Sequence, residues 1–259
     1  MGLVDYHMHS ILSDGKNTYE EMAIAAIDKG LDEIGFTDHV CLKPVEWAIR
    51  PIDLPVMIGQ ILEVKEKFSN RINIRLGVEV DYFPEHENEI QELIAQMPLD
   101  YVIGSIHFID DWNFDTDQSL YGKWSNDELY EKYFTLIQQA ASSGLFDVIG
   151  HIDIIKKFQV YPETSQDNLF EETIRIIKAN NLVVELNTGG KDRPCAEFTP
   201  SAKILEMCYN HQVPVTLSSD AHRVEHIARH YESAISLLKH IGYSELVGFH
   251  KRTRKAIRF

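Results

Sequence analysis

The most constraining feature of this 259-residue sequence is a regular alternation of short apolar segments with longer amphipathic ones. Seven short segments are rich in Val, Ile and Leu and are apolar at nearly every position. This pattern is typical of parallel strands that are buried on both faces of a sheet. The predicted strands are Leu3–His7, Glu33–Thr37, Ile72–Val80, Tyr101–His107, Phe146–His151, Leu182–Asn187 and Val213–Ser218.

The intervening segments have apolar residues at helical spacing. The predicted helices are Thr18–Lys29, Leu54–Phe68, Glu87–Met97, Asn126–Ser143, Asn168–Asn180, Ser201–His211 and Glu225–Ile241. Seven strand–helix units predict an α/β fold, a seven-unit variant of the closed or nearly closed parallel (β/α) barrel, which forms one domain over residues 1–259. The segment Leu246–Phe259 is too short for an eighth full unit. A doubly wound open sheet is the alternative, but no Gly-rich dinucleotide or Walker turn follows any predicted strand.

Three connections are longer than the fold requires, and each leaves the C-terminal end of a predicted strand. They are Val40–Asp53, Phe108–Trp124 and Thr188–Thr199. Because barrel enzymes build their sites at that end, we expect these loops to form the walls of a pocket.

Histidine is unusually frequent, and its placement is uneven. Six of the 12 histidines fall at the C-terminal end of a predicted strand. They are His7, His9, His39, His107, His151 and His222. The other six, which we interpret as solvated or capping residues, are His86, His211, His226, His230, His240 and His250.

A barrel would bring the first six histidines to one mouth, together with Asp14, Glu79 and Asp220. Taken singly, each of these residues could be structural, but so many buried imidazoles and carboxylates would be costly without partners. Nine nitrogen and oxygen ligands can satisfy two or three divalent ions and still leave positions for water and substrate. The nine residues therefore predict a metal cluster.

The net charge of −15 constrains the partners of the chain. An acidic surface repels nucleic-acid phosphates and anionic lipids, so neither nucleic acid nor a membrane is an expected partner. No apolar run approaches ~18 residues and no secretory signal is visible. Three cysteines without a Cys-x-x-Cys pair are consistent with reduced thiols in the cytoplasm. Bound cations would turn a negative pocket into an anion site, and the sequence leaves a homo-oligomer open.

Seven ordered motifs between residues 5 and about 224 resemble those of the PHP (polymerase and histidinol phosphatase) superfamily. They are His7-Met8-His9, Ser13-Asp14-Gly15, Phe36-Thr37-Asp38-His39, Gly77-Val78-Glu79, Gly104-Ser105-Ile106-His107-Phe108, Gly150-His151 and Ser219-Asp220-Ala221-His222. The phrases Gly77–Tyr82, Gly104–Phe108 and Glu185–Thr188 are similar to the histidinol-phosphate phosphatase branch.

This resemblance implies a distorted seven-unit (β/α) barrel, TIM-like, with a trinuclear centre of zinc, manganese or iron. One ion would be held by His7, His9, Glu79 and Asp220, a second by Glu79, His107 and His151, and a third by Asp14, His39 and His222. It also implies a metal-dependent phosphomonoesterase that hydrolyses L-histidinol phosphate in histidine biosynthesis with a metal-bound hydroxide, with Asp220 and His222 as catalytic residues.

Contacts to a small phosphate ester are expected from basic and aromatic side chains in the long loops. Lys157 stands where the family has a phosphate-binding arginine. The further candidates are Lys191, Arg193 and Arg223 for the phosphate, and Phe108 and Trp112 for stacking on an imidazole ring. These aromatic residues could equally cover the end of the barrel.

Three other functions stay open at this point. A PHP phosphoesterase could act on another ester, such as a nucleotide. A barrel amidohydrolase also begins with His-x-His, but it usually needs a bridging lysine where this sequence has Glu79. A metal-binding sensor or storage protein would take up ions without turnover.

Overall fold

The computed structural model describes residues 2–258 and shows a nearly closed parallel barrel. Its seven barrel strands follow the apolar segments of the sequence closely. They are β1 (Val4–Asp5), β2 (Glu33–Phe36), β4 (Asn73–Asp81), β5 (Tyr101–Ser105), β8 (Val148–Ile149), β9 (Val183–Asn187) and β10 (Val215–Ser218). A short strand, β3 (His39–Val40), extends β2 and pairs with the end of β4. The predicted seven-unit α/β barrel is confirmed.

The strands are hydrogen-bonded in the order β1-β2-β4-β5-β8-β9-β10, all parallel. The first and last strands approach each other at their C-terminal ends, where Met8 and Ala221 form a parallel bridge. The His9 amide donates to the Ala221 carbonyl at 2.9 Å, and the Ala221 amide donates to the His7 carbonyl at 3.1 Å. The barrel therefore closes directly beneath the predicted metal ligands.

Seven helices surround the strands in the described part of the chain. They are α1 (Tyr19–Asp28), α2 (Leu54–Lys67), α3 (Glu87–Ala95), α4 (Asn126–Ser142), α5 (Asp167–Ala179), α6 (Ala202–Asn210) and α7 (Tyr231–Ile241). Capping boxes define two of the starts, Thr18 with Glu21 and Ser125 with Glu128. None of the seven is both long and apolar enough to span a bilayer.

The predicted helix Glu225–Ile241 is wrong at its N-terminal end, since α7 begins only at Tyr231. Ala228 and His230 have φ angles of 53° and 58°, which are incompatible with a right-handed helix. Tertiary contacts hold this segment instead, because the Ala228 amide donates to Asp5 and Arg229 donates to the Ser219 carbonyl.

The C-terminal segment forms an antiparallel hairpin of β11 (Glu245–His250) and β12 (Thr253–Arg258) rather than an eighth unit. It covers the N-terminal ends of the strands, where the Arg252 amide donates to the Asp100 carbonyl just before β5. The Phe249 ring stacks on Tyr101 with ring centroids 5.2 Å apart. Tyr101 fills the barrel interior, and a Cβ on Gly35 would lie 1.9 Å from its hydroxyl oxygen. This closed end is called the floor below, and the opposite end the mouth.

Candidate metal centre

All nine predicted ligands lie at the mouth, and eight of them are on segments that follow the barrel strands β1, β2, β5, β8 and β10. Buried Val, Ile and Leu residues fix each strand, so the polar residue that follows it emerges at the rim of the core. Glu79 is an exception in position, since it lies within β4 and points into the centre of the mouth. Its side chain is only 1% exposed.

The first cluster surrounds one carboxylate oxygen of Glu79. His7 Nε2 lies 3.0 Å and His9 Nε2 3.6 Å from Glu79 Oε2. Asp220 Oδ1 is 3.3 Å from His9 Nε2 and 3.9 Å from His7 Nε2. The alternation of side chains along an extended strand puts His7 and His9 on the same side of the chain, and both meet Glu79.

The second cluster surrounds the other oxygen of Glu79. His151 Nε2 lies 2.9 Å and His107 Nε2 3.7 Å from Glu79 Oε1. The two imidazole nitrogens are 3.3 Å apart. Since its two oxygens face different histidines, Glu79 has the geometry of a bridging ligand.

The third cluster lies further out, beside Asp14. His222 Nε2 is 3.1 Å from Asp14 Oδ2, and His39 Nε2 is 3.8 Å from Asp14 Oδ1. His9 also approaches Asp14, with its Nδ1 3.8 Å from Oδ1. The three clusters adjoin, because His9 contacts the first and third and His39 Nδ1 lies 2.9 Å from Glu79 Oε2.

Unpaired buried atoms show that this donor set fits divalent cations. Several ligand-type atoms are buried without a hydrogen-bond partner: His7 Nε2, both ring nitrogens of His9, Asp14 Oδ1, His39 Nδ1 and Glu79 Oε2. Three groups of side chains could each hold an ion, because within each group one ligand atom per residue lies within 4.8 Å of the others. The groups are His9, Asp14, His39 and His222; His7, His9 and Glu79; and His39, Glu79 and His107. Nitrogen and carboxylate oxygen donors in this arrangement suit zinc, manganese or iron.

The electrostatics of the site show the same need for positive charge. Burial raises the pKa of Glu79, but the positive charges of His7 and His39 outweigh it and hold that pKa well below its usual range. Burial lowers the pKa of His39, yet the Glu79 charge raises it to about 9. The His107 pKa rises to about 10 because the Asp81 carboxylate outweighs burial. Without metal, protonated imidazoles therefore supply the charge that cations would otherwise supply.

Two carboxylates that the sequence analysis did not select orient the predicted ligands. His7 Nδ1 donates to Glu185 at 2.5 Å, and His107 Nδ1 donates to Asp81 at 2.9 Å. A carboxylate can only accept in these bonds, so Nδ1 keeps its proton and Nε2 is the ring nitrogen that can bind a metal once it has released its own proton. Glu185 also accepts from the His151 amide at 2.7 Å. Its place in the fragment Glu185–Thr188 was the available sequence signal.

A cavity of about 480 Å³ lies over the clusters and carries a set of cations. Three of the four basic residues predicted to bind substrate line it, namely Lys157, Arg193 and Arg223. Lys191 does not line it, because its Nζ lies over the Phe198 ring, 5.0 Å from the centroid. Lys16, which the sequence analysis did not select, adds a further cation.

The aromatic candidates Phe108 and Trp112 do not line the cavity either. Phe108 is 7% exposed and packs on Phe83 and Trp47, while Trp112 is 6% exposed and donates its indole N–H to the Asp117 carbonyl. This packing supports the second interpretation of these two residues, that they cover the end of the barrel. Trp47 is the aromatic side chain that reaches the ligands, with its ring 4.8 Å from that of His39.

Two more cavity residues were hidden by the wrong helix prediction. His226, interpreted as solvated, is half-buried and lines the cavity. Burial, with the charges of Arg229 and Arg223, lowers its pKa to about 4. Arg229 donates to the Ser219 carbonyl at 2.9 Å and to the Asp220 carbonyl at 3.0 Å. It thereby supports Asp220, whose φ of 52° lies in the left-handed region.

Fold and site together define a barrel hydrolase built to use divalent metal ions. Residues 5–189 match the PHP domain family. A "Probable histidinol-phosphatase" of Deinococcus radiodurans is 31% identical over 97% of this chain and 98% of its own length. The histidinol-phosphatase of Bacillus subtilis is 27% identical over 88% of this chain and 97% of its own length.

A solved structure shows the same fold. The histidinol phosphate phosphatase of Lactococcus lactis, crystallised with zinc, L-histidinol and phosphate, superposes with a TM-score of 0.85, covering 98% of both chains at 24% identity. The chain described here belongs to the PHP domain family.

Proposed function

We propose that this chain is a histidinol-phosphatase, a metal-dependent enzyme that hydrolyses L-histidinol phosphate to L-histidinol and phosphate. The observation that carries the proposal is the cavity, which is lined by seven of the nine metal-ligand candidates and by Lys16, Lys157, Arg193 and Arg223. The other two candidates, His7 and His9, are fully buried against Glu79 and Asp220. With divalent ions on the ligands, a phosphate group would lie between the ions on one side and the lysine and arginine side chains on the other. The relatives named above support the choice of substrate.

The metal ligands follow as part of this proposal. One ion would be held by His7, His9, Glu79 and Asp220, a second by Glu79, His107 and His151, and a third by Asp14, His39 and His222. Divalent ions held there supply an activated water nucleophile and neutralise charge on the phosphate oxygens. Two to three ions of zinc, manganese or iron satisfy the donor set.

The chain's own residues bind and orient the ester. Lys157, Arg193 and Arg223 line the cavity and come from the loops after β8, β9 and β10, and they would contact the phosphate. Asp220 and His222 line the same cavity, and His222 Nδ1 donates to the Asp220 carbonyl at 3.0 Å, which leaves Nε2 facing Asp14. We propose that the Asp220 carboxylate accepts a proton from the attacking water and passes it to the oxygen of the leaving alcohol, so that the proton is conserved in the step. We also propose that the enzyme is cytoplasmic and that residues 1–259 form one domain.

Steady-state kinetics of the metal-loaded enzyme test this function. We expect kcat/KM for L-histidinol phosphate to exceed that for nucleoside monophosphates and for p-nitrophenyl phosphate by a factor of at least about 100, because specific contacts to the leaving group add to those with phosphate. Similar values for all three esters would contradict histidinol phosphate as the substrate. Stoichiometric metal uptake without any hydrolysis would favour a sensor or storage protein.

A further inference from the structure

A side pocket of about 120 Å³ opens beside the second and third clusters. It shares His39, His107 and Asp115 with the main cavity, so a molecule bound over the metal ligands can extend into it. The residues that line only this side pocket are Trp47, from the connection after β3, and Asn113, at the end of β7 (Trp112–Asn113).

The Trp47 side of the pocket is a flat apolar wall. The indole meets the His107 ring edge-on at 6.1 Å and stacks on Phe108 at 6.3 Å with an interplanar angle of 21°. Phe108 therefore fixes the orientation of Trp47 from behind. A planar ring placed here contacts an aromatic face without displacing a metal ligand.

The side pocket also contains the Asp115 carboxylate, which pairs with a lysine of the main cavity. Lys157 Nζ donates to Asp115 Oδ1 at 2.6 Å and to the Asp115 carbonyl at 2.8 Å. The Asp115 side chain is 21% exposed, towards the cavity, and that of Lys157 is 9% exposed. Asn113 Oδ1 accepts from the Asp115 amide at 3.1 Å, which holds this turn in place. A carboxylate that close to a phosphate-binding lysine weakens binding of a purely anionic ligand.

We propose that Asp115 is a specificity-determining residue that selects phosphate esters carrying an amine, with Trp47 as the wall for their ring; the proposal rests on the phosphatase function above. An ester with both charges replaces the internal Lys157–Asp115 pair by two pairs, phosphate with Lys157 and ammonium with Asp115. An ester without the amine leaves the carboxylate facing a phosphate. Asp115 thus provides both attraction for the correct substrate and repulsion of others.

The test compares L-histidinol phosphate with the same ester lacking its amino group. In Asp115→Asn, Lys157 keeps its bond to the Asp115 carbonyl, so the phosphate contacts persist. We expect kcat/KM for the amino ester to fall about 10- to 100-fold, as expected for a lost charge-assisted hydrogen bond, while that for the deaminated ester is unchanged or rises. Asp111→Asn is the matched control, because Asp111 is fully exposed and pairs with Lys43. It should change neither value.

An equal loss on both esters, or no change on either, would overturn the role of Asp115 and leave the phosphatase function intact. A metal-loaded wild-type enzyme that hydrolyses neither ester would overturn the function itself.

A second experiment tests Trp47 as the wall of the pocket. Trp47→Leu should raise KM for both imidazole esters and leave KM for phosphoethanolamine, which has an amine but no ring, unchanged. A uniform rise in KM for all three would contradict the wall.

Discussion

The two ends of this barrel bury carboxylates in opposite ways. At the floor, Glu33 accepts from Tyr6, from Lys255 and from Arg75, the last at 2.7 Å. At the mouth, Glu79 Oε2 has no hydrogen-bond partner although three histidine nitrogens lie within 3.6 Å. Within residues 2–258, the buried carboxylate oxygens without a partner are on Asp14, Glu79 and Asp81 at the mouth and on Asp153, whose other oxygen accepts from Lys156.

This difference separates stability from function. The floor neutralises the charge of Glu33 with two cations from the chain itself, Arg75 and Lys255. The mouth contains acceptors and imidazoles in excess of its cations, which is costly in a folded protein unless a ligand completes it. The four predictions that follow test this contrast.

The largest effect is expected for Glu79→Gln at the mouth. The amide cannot bridge two ions, so turnover should fall about 1000-fold or more, the order of magnitude that metal charge stabilisation contributes. Metal content per chain should fall in parallel, while circular dichroism shows a retained fold. Full activity in this variant would show that the mouth does not need a bridging carboxylate.

At the floor, Glu33→Gln should have the opposite profile. We expect the free energy of unfolding to fall by about 2–3 kcal/mol, since Arg75 loses its charged partner, and kcat to stay unchanged. Lys255 moderates the loss because its side chain is 39% exposed. Urea denaturation measures the effect. The control is Glu20→Gln, which removes an exposed pair with Lys67 and should cost less than about 1 kcal/mol.

Glu185→Gln tests the residues that orient the mouth. The glutamine amide can donate an N–H to His7, so the Nδ1-protonated tautomer of the imidazole is no longer enforced. Metal affinity or turnover should therefore fall about 10- to 100-fold. Metal-competition titrations and kcat measure the two quantities. A loss of stability with unchanged metal affinity would assign Glu185 to the core instead.

The last prediction changes no residue and concerns pH. In the metal-free protein, the pKa values of His39 and His107 are about 9 and about 10, so both rings carry protons at neutral pH. An incoming ion must displace these protons, so metal affinity should rise about tenfold per pH unit for each proton released, up to the higher pKa. Calorimetry in two buffers with different ionisation enthalpies counts the protons. Affinity that falls with rising pH would contradict the charge state described here.

The same contrast explains what the sequence could and could not predict. The strands were predictable because Val, Ile and Leu runs occur where the barrel buries both faces, and the six strand-end histidines followed from them. Arg229 and His226 were missed because their segment has an amphipathic pattern, yet contacts with Asp5 and Ser219 bend it out of a helix. Trp47 reaches the metal ligands and Phe108 does not, because the Phe108 ring packs behind the Trp47 ring. The sequence could not show this difference, since it depends on tertiary packing.

Metal removal and readdition test the central claim most directly, that the unpaired mouth atoms form a metal centre for phosphate ester hydrolysis. Chelation should abolish hydrolysis of L-histidinol phosphate, and titration with zinc, manganese or iron should restore it as two to three ions bind per chain. The melting temperature should rise in step, because ions that bind only the folded state stabilise it. Full hydrolysis by the chelated protein, or ion uptake without recovery of activity, would contradict the account.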